Sequence, residues 1–150
     1  MMEIRSFGPA DLDSILAIAA ASPEAAAWRR DAYETMLHSP HHGACRLAEL
    51  SGCVVGFICF RVVADEAEVL NLAVLPPARR QGVASRLLGE ALRETAQQGA
   101  RRVFLEVRDT NQPAMLFYAR HGFRVASRRR GYYSDPVADA LVLVRDLAGA

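Results

Sequence analysis

The spacing of apolar positions along the chain switches between a strand period of two and a helical period near 3.6. Met2 to Phe7 reads as a short strand. After a Gly8-Pro9-Ala10-Asp11 turn, with Asp11 placed to cap a first helix, Leu12, Ile15, Leu16, Ile18 and Ala19 recur at helical spacing. A second helix is predicted from Trp28 to Leu37, carrying Trp28, Ala32, Tyr33 and Leu37 on or near one face and ended by Pro40. The small-residue linker Ala21-Ser22-Pro23-Glu24-Ala25-Ala26-Ala27 joins the two. Cys45 to Leu50 and Cys53 to Val63 form a predicted hairpin about Ser51-Gly52. The second arm is almost continuously apolar at Val54, Val55, Phe57, Ile58 and Phe60, as in a strand covered on both faces.

The pattern then becomes strand, break, loop, helix. Asp65, Glu66 and Glu68 read as a solvated turn before a buried strand from Val69 to Val74, which Pro76-Pro77 ends because neither proline has an N–H for the ladder. The basic loop Arg79-Arg80-Gln81-Gly82-Val83-Ala84-Ser85 opens an amphipathic helix. Val83, Leu87, Leu88, Ala91, Leu92 and Thr95 lie on one face of it, Arg86, Glu90, Arg93, Glu94 and Gln97 on the other, and Gly99 is its stop. Arg102 to Val107 is a strand whose one acidic residue is Glu106. Thr110-Asn111-Gln112-Pro113 starts a helix that Gly122 closes. A strand begins at Phe123, a basic and aromatic loop runs from Arg128 to Pro136, and a last strand covers Ala140 to Val144.

Composition narrows the class. With 150 residues, 51% of them hydrophobic and 23% charged, the chain fits one globular domain spanning residues 1–150. A formal charge of +1 gives no bulk attraction to nucleic acid or an anionic membrane, so any basic site is local. Cys45, Cys53 and Cys59 are odd in number and lack zinc or redox spacing, so neither a metal nor a disulfide framework is expected. His38, His41 and His42 have no acidic or sulfur ligand at a recognisable spacing and read as a solvated loop. No signal peptide and no membrane-spanning apolar run are visible, which leads us to expect a soluble, cytoplasmic protein.

A strand running through a basic glycine loop into a helix suits an anion, because helix-start N–H groups are unpaired and carry partial positive charge. The glycines spell neither GxGxxG nor a P-loop. Arg79-x-x-Gly82-x-Ala84 resembles instead the acyl-CoA signature of the GCN5-related N-acetyltransferases (GNAT family), Gln/Arg-x-x-Gly-x-Gly/Ala. Asn71-Leu72-Ala73-Val74, Arg80-Gln81-Gly82, Leu105-Glu106-Val107-Arg108, Asn111, Tyr118 and Gly122-Phe123 together resemble the bacterial ribosomal-protein-alanine N-acetyltransferases, the RimI type. The likeness runs from Glu66 to Leu147.

The resemblance implies an α/β (α+β) fold with a mixed, mostly antiparallel central sheet flanked by helices, in which a splayed strand pair holds acyl-CoA. It implies acetyl-CoA as co-substrate and no metal. Leu72, Ala73 and Val74 would pair by backbone with the pantetheine arm, Arg80, Gln81, Gly82, Val83, Ala84 and Ser85 would surround the pyrophosphate, and Asn111 would contact the same arm. Glu106 would be the general base and Tyr118 the general acid. A carboxylate in an apolar strand is desolvated, which suits a base, and a departing thiolate is helped by a donor. A Glu106 paired with an arginine and a Tyr118 that is simply core remain open as structural readings. Trp28, Tyr132 and Tyr133 would enclose the acceptor. Here the sequence departs from the family: the stretch from Tyr133 to Asp139 is short and Trp28 lacks a preceding proline. The resemblance implies a protein N-terminal amine as the leading acceptor, and the departures leave a small-molecule amine or antibiotic open as the alternative. A non-catalytic acyl-CoA or RNA-binding module using Arg128, Arg129 and Arg130 is the reading from a different class. The sequence leaves monomer and homodimer both open.

Overall fold

The computed structural model describes residues 1–23, 25–26, 28–134 and 136–147; Glu24 and Ala27 of the predicted linker and Asp135 of the predicted basic loop lie outside the described residues. Seven strands form one sheet: β1 (Met2–Ser6), β2 (Ala44–Leu50), β3 (Cys53–Val63), β4 (Glu66–Val74), β5 (Arg102–Arg108), β6 (Arg124–Tyr133) and β7 (Ala138–Asp146). They lie in the order β1-β2-β3-β4-β5-β7-β6. Every neighbouring pair is antiparallel except β4 with β5. The helices are α1 (Leu12–Ala20), α2 (Arg30–His38), α3 (Val83–Gln97) and α4 (Gln112–Arg120).

Side chains alternate across a strand, and β3 shows what that does here. Phe57 and Cys59 join Ile15, Ile18 and Tyr33 in one apolar cluster, while Ile58 and Phe60 join Leu87, Leu88 and Ala91 in another. With α1 and α2 packed on one side of β3 and α3 on the other, both sides of the strand are dry. This accounts for its continuous apolar run.

Several expectations need correction. Asp11 does not cap α1 with its side chain. Its carboxylate accepts from Gly8 N–H at 2.8 Å and from the Arg5 guanidinium at 2.7 and 2.8 Å, and the Arg5 bonds hold it below the usual carboxylate range. The second helix starts at Arg30, which leaves Trp28 outside it. β4 begins at Glu66, so Glu66 and Glu68 belong to the strand and the turn is confined to Ala64 and Asp65. The basic and aromatic segment belongs, as far as Tyr133, to strand β6, which pairs with β7 from Arg124 to Tyr133 across two register shifts. It is an edge strand, almost wholly exposed, and an arginine-rich edge discourages pairing with another chain.

Cys45 and Cys59 form a disulfide, against expectation, and only Cys53 is free. A regular hairpin that pairs Leu50 with Cys53 would set Cys45 opposite Ile58. A register shift between Ala48 and Glu49 advances β3 by one residue and brings Cys59 opposite Cys45.

Candidate active site

β4 and β5 run together for three residues only, Glu66 to Glu68 against Arg102 to Phe104. Beyond that they part, while β5 stays paired to β7 as far as Arg108. The gap is a cavity of about 1030 Å³ lined by the end of β4, the start of α3, the middle of β5, α4, the 22–28 stretch and the end of β6.

One wall is backbone. Leu75 donates its N–H to Val55 of β3 at 2.8 Å. Strand alternation then turns the Ala73 backbone groups toward β3 as well, and those of Leu72 and Val74 toward the gap. Arg79 closes this edge, since its Nε donates to Val74 O at 3.1 Å and its guanidinium reaches Ser22 Oγ at 3.5 Å. The chain then doubles back with Arg80 at φ 66° and Gly82 at φ 79°, both left-handed. Gly82 caps α3 without a side-chain bond, and the first helical bond runs from Arg86 N–H to Gly82 O. The N–H groups of Val83, Ala84 and Ser85 thus have no partner within the helix. Nothing lies within 4 Å of where a Cβ on Gly82 would sit, so the turn is open to a ligand. Ser85 Oγ sits 3.1 Å from His121 Nε2. Burial, and secondarily Arg145, push the pKa of His121 below the usual histidine value. No motif marks His121, which reaches Ser85 only because α4 ends beside the start of α3.

At the middle of the cavity stands Glu106. Its Oε2 is buried with no hydrogen-bond partner among the described residues. Oε1 is 3.9 Å from Arg129 Nη1, too far for a hydrogen bond, and that arginine is 56% exposed. The arginine-paired reading of Glu106 is therefore reduced to a loose, solvent-screened contact. A buried unpartnered oxygen is rare enough in folded proteins to require an explanation. Tyr118 lines the same cavity, its ring edge-on to Phe117 at 5.1 Å and to Phe123 at 5.4 Å. Burial pushes the pKa of its hydroxyl up, so at neutral pH it carries a proton. Asn111 is the N-cap of α4, its Oδ1 accepting from Ala114 N–H at 3.2 Å, with Pro113 in the first turn. Its side-chain nitrogen has no partner among the described residues.

The opposite wall is made of side chains. Trp28 lies 5.2 Å from Tyr33, ring to ring. Tyr132 and Tyr133 meet edge to face at 5.1 Å. Arg108 sits 4.4 Å above the Tyr133 ring and donates to Pro136 O at 2.9 Å and Ser134 O at 3.4 Å. It thereby straps the β6–β7 connection to β5. Burial first, then the nearby Glu106 charge, raise the pKa of Tyr133. In the basic run, Arg128 is neutralised by Asp109 at 3.0 Å and Asp139 at 2.7 Å, and Arg129 leans over the Tyr132 ring at 5.4 Å. Among the described residues no group of three His, Cys, Asp or Glu is arranged to hold a metal, and no helix is long and apolar enough to cross a membrane.

A parted strand pair, an open glycine turn and a helix start in one cleft are the features of an acyl-CoA fold, and comparison with known proteins agrees. The sequence model of the Acetyltransferase (GNAT) family matches residues 12–123. The chain belongs to this family. It is an acetyl-CoA-dependent acetyltransferase with the family's mixed sheet and flanking helices. The [ribosomal protein bS18]-alanine N-acetyltransferase of Escherichia coli (strain K12) is 37% identical over 62% of this chain and 64% of its own length. An N-alpha-acetyltransferase of Sulfolobus acidocaldarius is 31% identical over 89% of this chain and 86% of its own. The crystal structure of the Escherichia coli ribosomal-protein-S18-alanine N-acetyltransferase superposes with a TM-score of 0.87 at 29% identity, covering 100% of this chain and 96% of that one.

Proposed function

We propose that residues 1–150 act as one cytoplasmic domain that moves the acetyl group of acetyl-CoA to the α-amine of a protein N-terminus, in a ternary complex by direct attack. The Leu72–Val74 edge offers the Leu72 carbonyl and the Val74 N–H to the amide-bearing pantetheine arm, the Leu72 N–H being held by Asn71 Oδ1 and the Val74 carbonyl by Arg79. The turn from Arg80 to Ser85 holds the pyrophosphate, and Asn111 contacts the arm from the start of α4. Trp28, Tyr132 and Tyr133 enclose the acceptor. The single observation that carries the reading is Glu106 Oε2, buried and unpartnered on the cavity between these two walls. It takes the proton from the acceptor ammonium, freeing the nitrogen lone pair to attack the thioester carbon. A backbone N–H of the β4 edge steadies the oxygen as it gains charge. When the carbon–sulfur bond breaks, the Tyr118 hydroxyl gives its proton to the leaving thiolate and regains one from the nitrogen, which sheds its second proton as the amide forms, while the proton held by Glu106 passes to solvent. The products are an N-acetylated amine and CoA.

The names of the relatives support a protein N-terminus as acceptor. The deciding experiment sets alanine-starting peptides from ribosomal proteins against polyamines and aminoglycosides, with mass spectrometry of the products. Acetylation of the peptide α-amine is expected. Turnover confined to the small amines would overturn the acceptor, and no turnover of any amine would leave a binding module in its place.

A further inference from the structure

Asn71 stands at the one irregularity in β4. Cys59 pairs with Asn71 but Phe60 pairs with Val69, so Leu70 is the extra residue of a bulge. Asn71 itself is 5% exposed. A carboxamide has two hydrogens to donate and two lone pairs to accept with, and here all four are engaged. Nδ2 donates to the Ala26 carbonyl at 3.3 Å and to the Tyr33 hydroxyl at 3.2 Å. Oδ1 accepts from Ala26 N–H at 3.1 Å and from Leu72 N–H at 3.0 Å. Only one orientation of the amide can meet both the N–H and the C=O of the same residue, so the assignment of its oxygen and nitrogen is fixed by the contacts.

Ala26 is therefore gripped at both backbone groups by a side chain 45 positions away, much as a neighbouring strand would grip it. Just beyond it, Trp28 rests on Tyr33, the same tyrosine whose hydroxyl Asn71 holds. The second bond of Oδ1 goes to Leu72, on the edge of β4 that faces the cavity. One amide joins the acceptor wall to the cofactor edge.

We propose that Asn71 is a positioning residue, whose clamp on Ala26 and Leu72 sets the spacing between the wall around Trp28 and the Leu72–Val74 edge, and so presents acceptor amine and thioester to each other. This rests on the proposed placement of the acceptor beside Trp28. A residue of similar size without the amide fills the space but releases Ala26. Aspartate keeps both acceptor bonds, cannot donate to the Ala26 carbonyl, and buries a charge.

The test is Asn71→Ala, assayed with separate titrations of acceptor and acetyl-CoA. We expect the acceptor KM to rise by about tenfold to a hundredfold, the scale of a small misplacement, while the acetyl-CoA KM stays within about twofold. Amide exchange at Ala26 should accelerate while α3 keeps its protection. A purely structural role would lower the melting temperature and move both KM values together, and that result overturns the proposal, as does an unchanged acceptor KM. If Asn71→Ala does not fold, Tyr33→Phe removes one of the four bonds and leaves the ring in place. A rise in acceptor KM with faster exchange at Ala26 then supports the clamp, and no change in either overturns it. The wild-type enzyme separates this from the acceptor reading. If it acetylates only small amines, the N-terminal acceptor fails and the clamp is measured on that amine; if it acetylates the peptide and the variant's peptide KM does not move, the clamp alone fails.

Discussion

Apart from Asn111, the wall of the cleft that we assign to acetyl-CoA is backbone from one stretch, Leu72 to Ser85, whereas the proposed acceptor wall is side chains gathered from the 22–28 stretch, β5 and the end of β6. The first needs only a strand end, a left-handed turn and a helix start, each set by local residues: Pro76-Pro77, Gly82 and the apolar face of α3. The second exists only once the whole sheet has formed, because Arg108 must reach the β6–β7 connection and Asn71 must reach Ala26. Backbone walls tolerate side-chain change, since any residue but proline supplies an N–H. Side-chain walls do not, and in them one substitution can alter the acceptor without touching the cofactor.

Glu106 lies between the walls, and its loss should be the largest single effect. Glu106→Gln keeps the shape of the side chain but cannot take a proton, so kcat should fall by about 10²- to 10⁴-fold. Acetyl-CoA should still raise the melting temperature, since binding to the folded chain must do so. Tyr118→Phe removes the proton donor and should also lower kcat at unchanged acetyl-CoA affinity. If both variants keep full turnover, the catalytic assignment is wrong.

The backbone wall is broken at Gly82, which has φ 79°. Gly82→Ala meets no neighbour, because nothing lies within 4 Å of the new Cβ. The cost is therefore conformational. A left-handed L-residue costs about 1–2 kcal/mol, and the turn will shift to relieve it, raising the acetyl-CoA KM by about fivefold to thirtyfold. Acceptor KM should hold. Equal losses on both substrates would mean that the two walls are not separable.

The same contrast explains what can be read from sequence. The Leu72 to Ser85 wall is legible because its determinants are neighbours in the chain and its apolar helix face is periodic. Glu106 is legible as the one carboxylate in an apolar strand. The second half of β6, from Arg128, reads as a loop because an edge strand exposed on both sides has no apolar alternation to show. The Cys45–Cys59 pair escapes the sequence because a one-residue register shift, invisible in composition, decides which residue faces Cys45. His121 and the strapping contact of Arg108 escape it for a common reason: each acts on a residue at least 25 positions away, and nothing local shows which residue that is.

Arg108 breaks the side-chain wall more gently. Arg108→Met keeps a stem of similar bulk but loses the stack on Tyr133 and the donors to Ser134 and Pro136. A partly exposed cation–π contact is worth about 0.5–1 kcal/mol, so acceptor KM should rise about twofold to fivefold with acetyl-CoA KM unchanged. A shift in acetyl-CoA KM instead would place Arg108 on the other wall.

The smallest effect is acid loosening of the strap beside Tyr132. Asp139 accepts from Gly131 N–H at 2.8 Å and from Arg128 at 2.7 Å. The Gly131 bond first, then Arg128, hold its carboxyl below the ordinary value of 3.8. The unfolded chain thus binds the proton at a higher pH than the folded one does. The stabilisation is complete above 3.8 and is lost as pH falls through the lower folded value. Amide exchange at Gly131, corrected for its intrinsic pH dependence, should therefore quicken below 3.8 in the wild-type chain. In Asp139→Asn it should already be fast at pH 6 and show no such step. The N–H of Arg86, bonded to Gly82 O at 3.0 Å with no carboxylate involved, should keep its protection across the same window. If the two regions loosen at one pH, acid is acting on the whole sheet, and the acceptor wall is not held by contacts of its own.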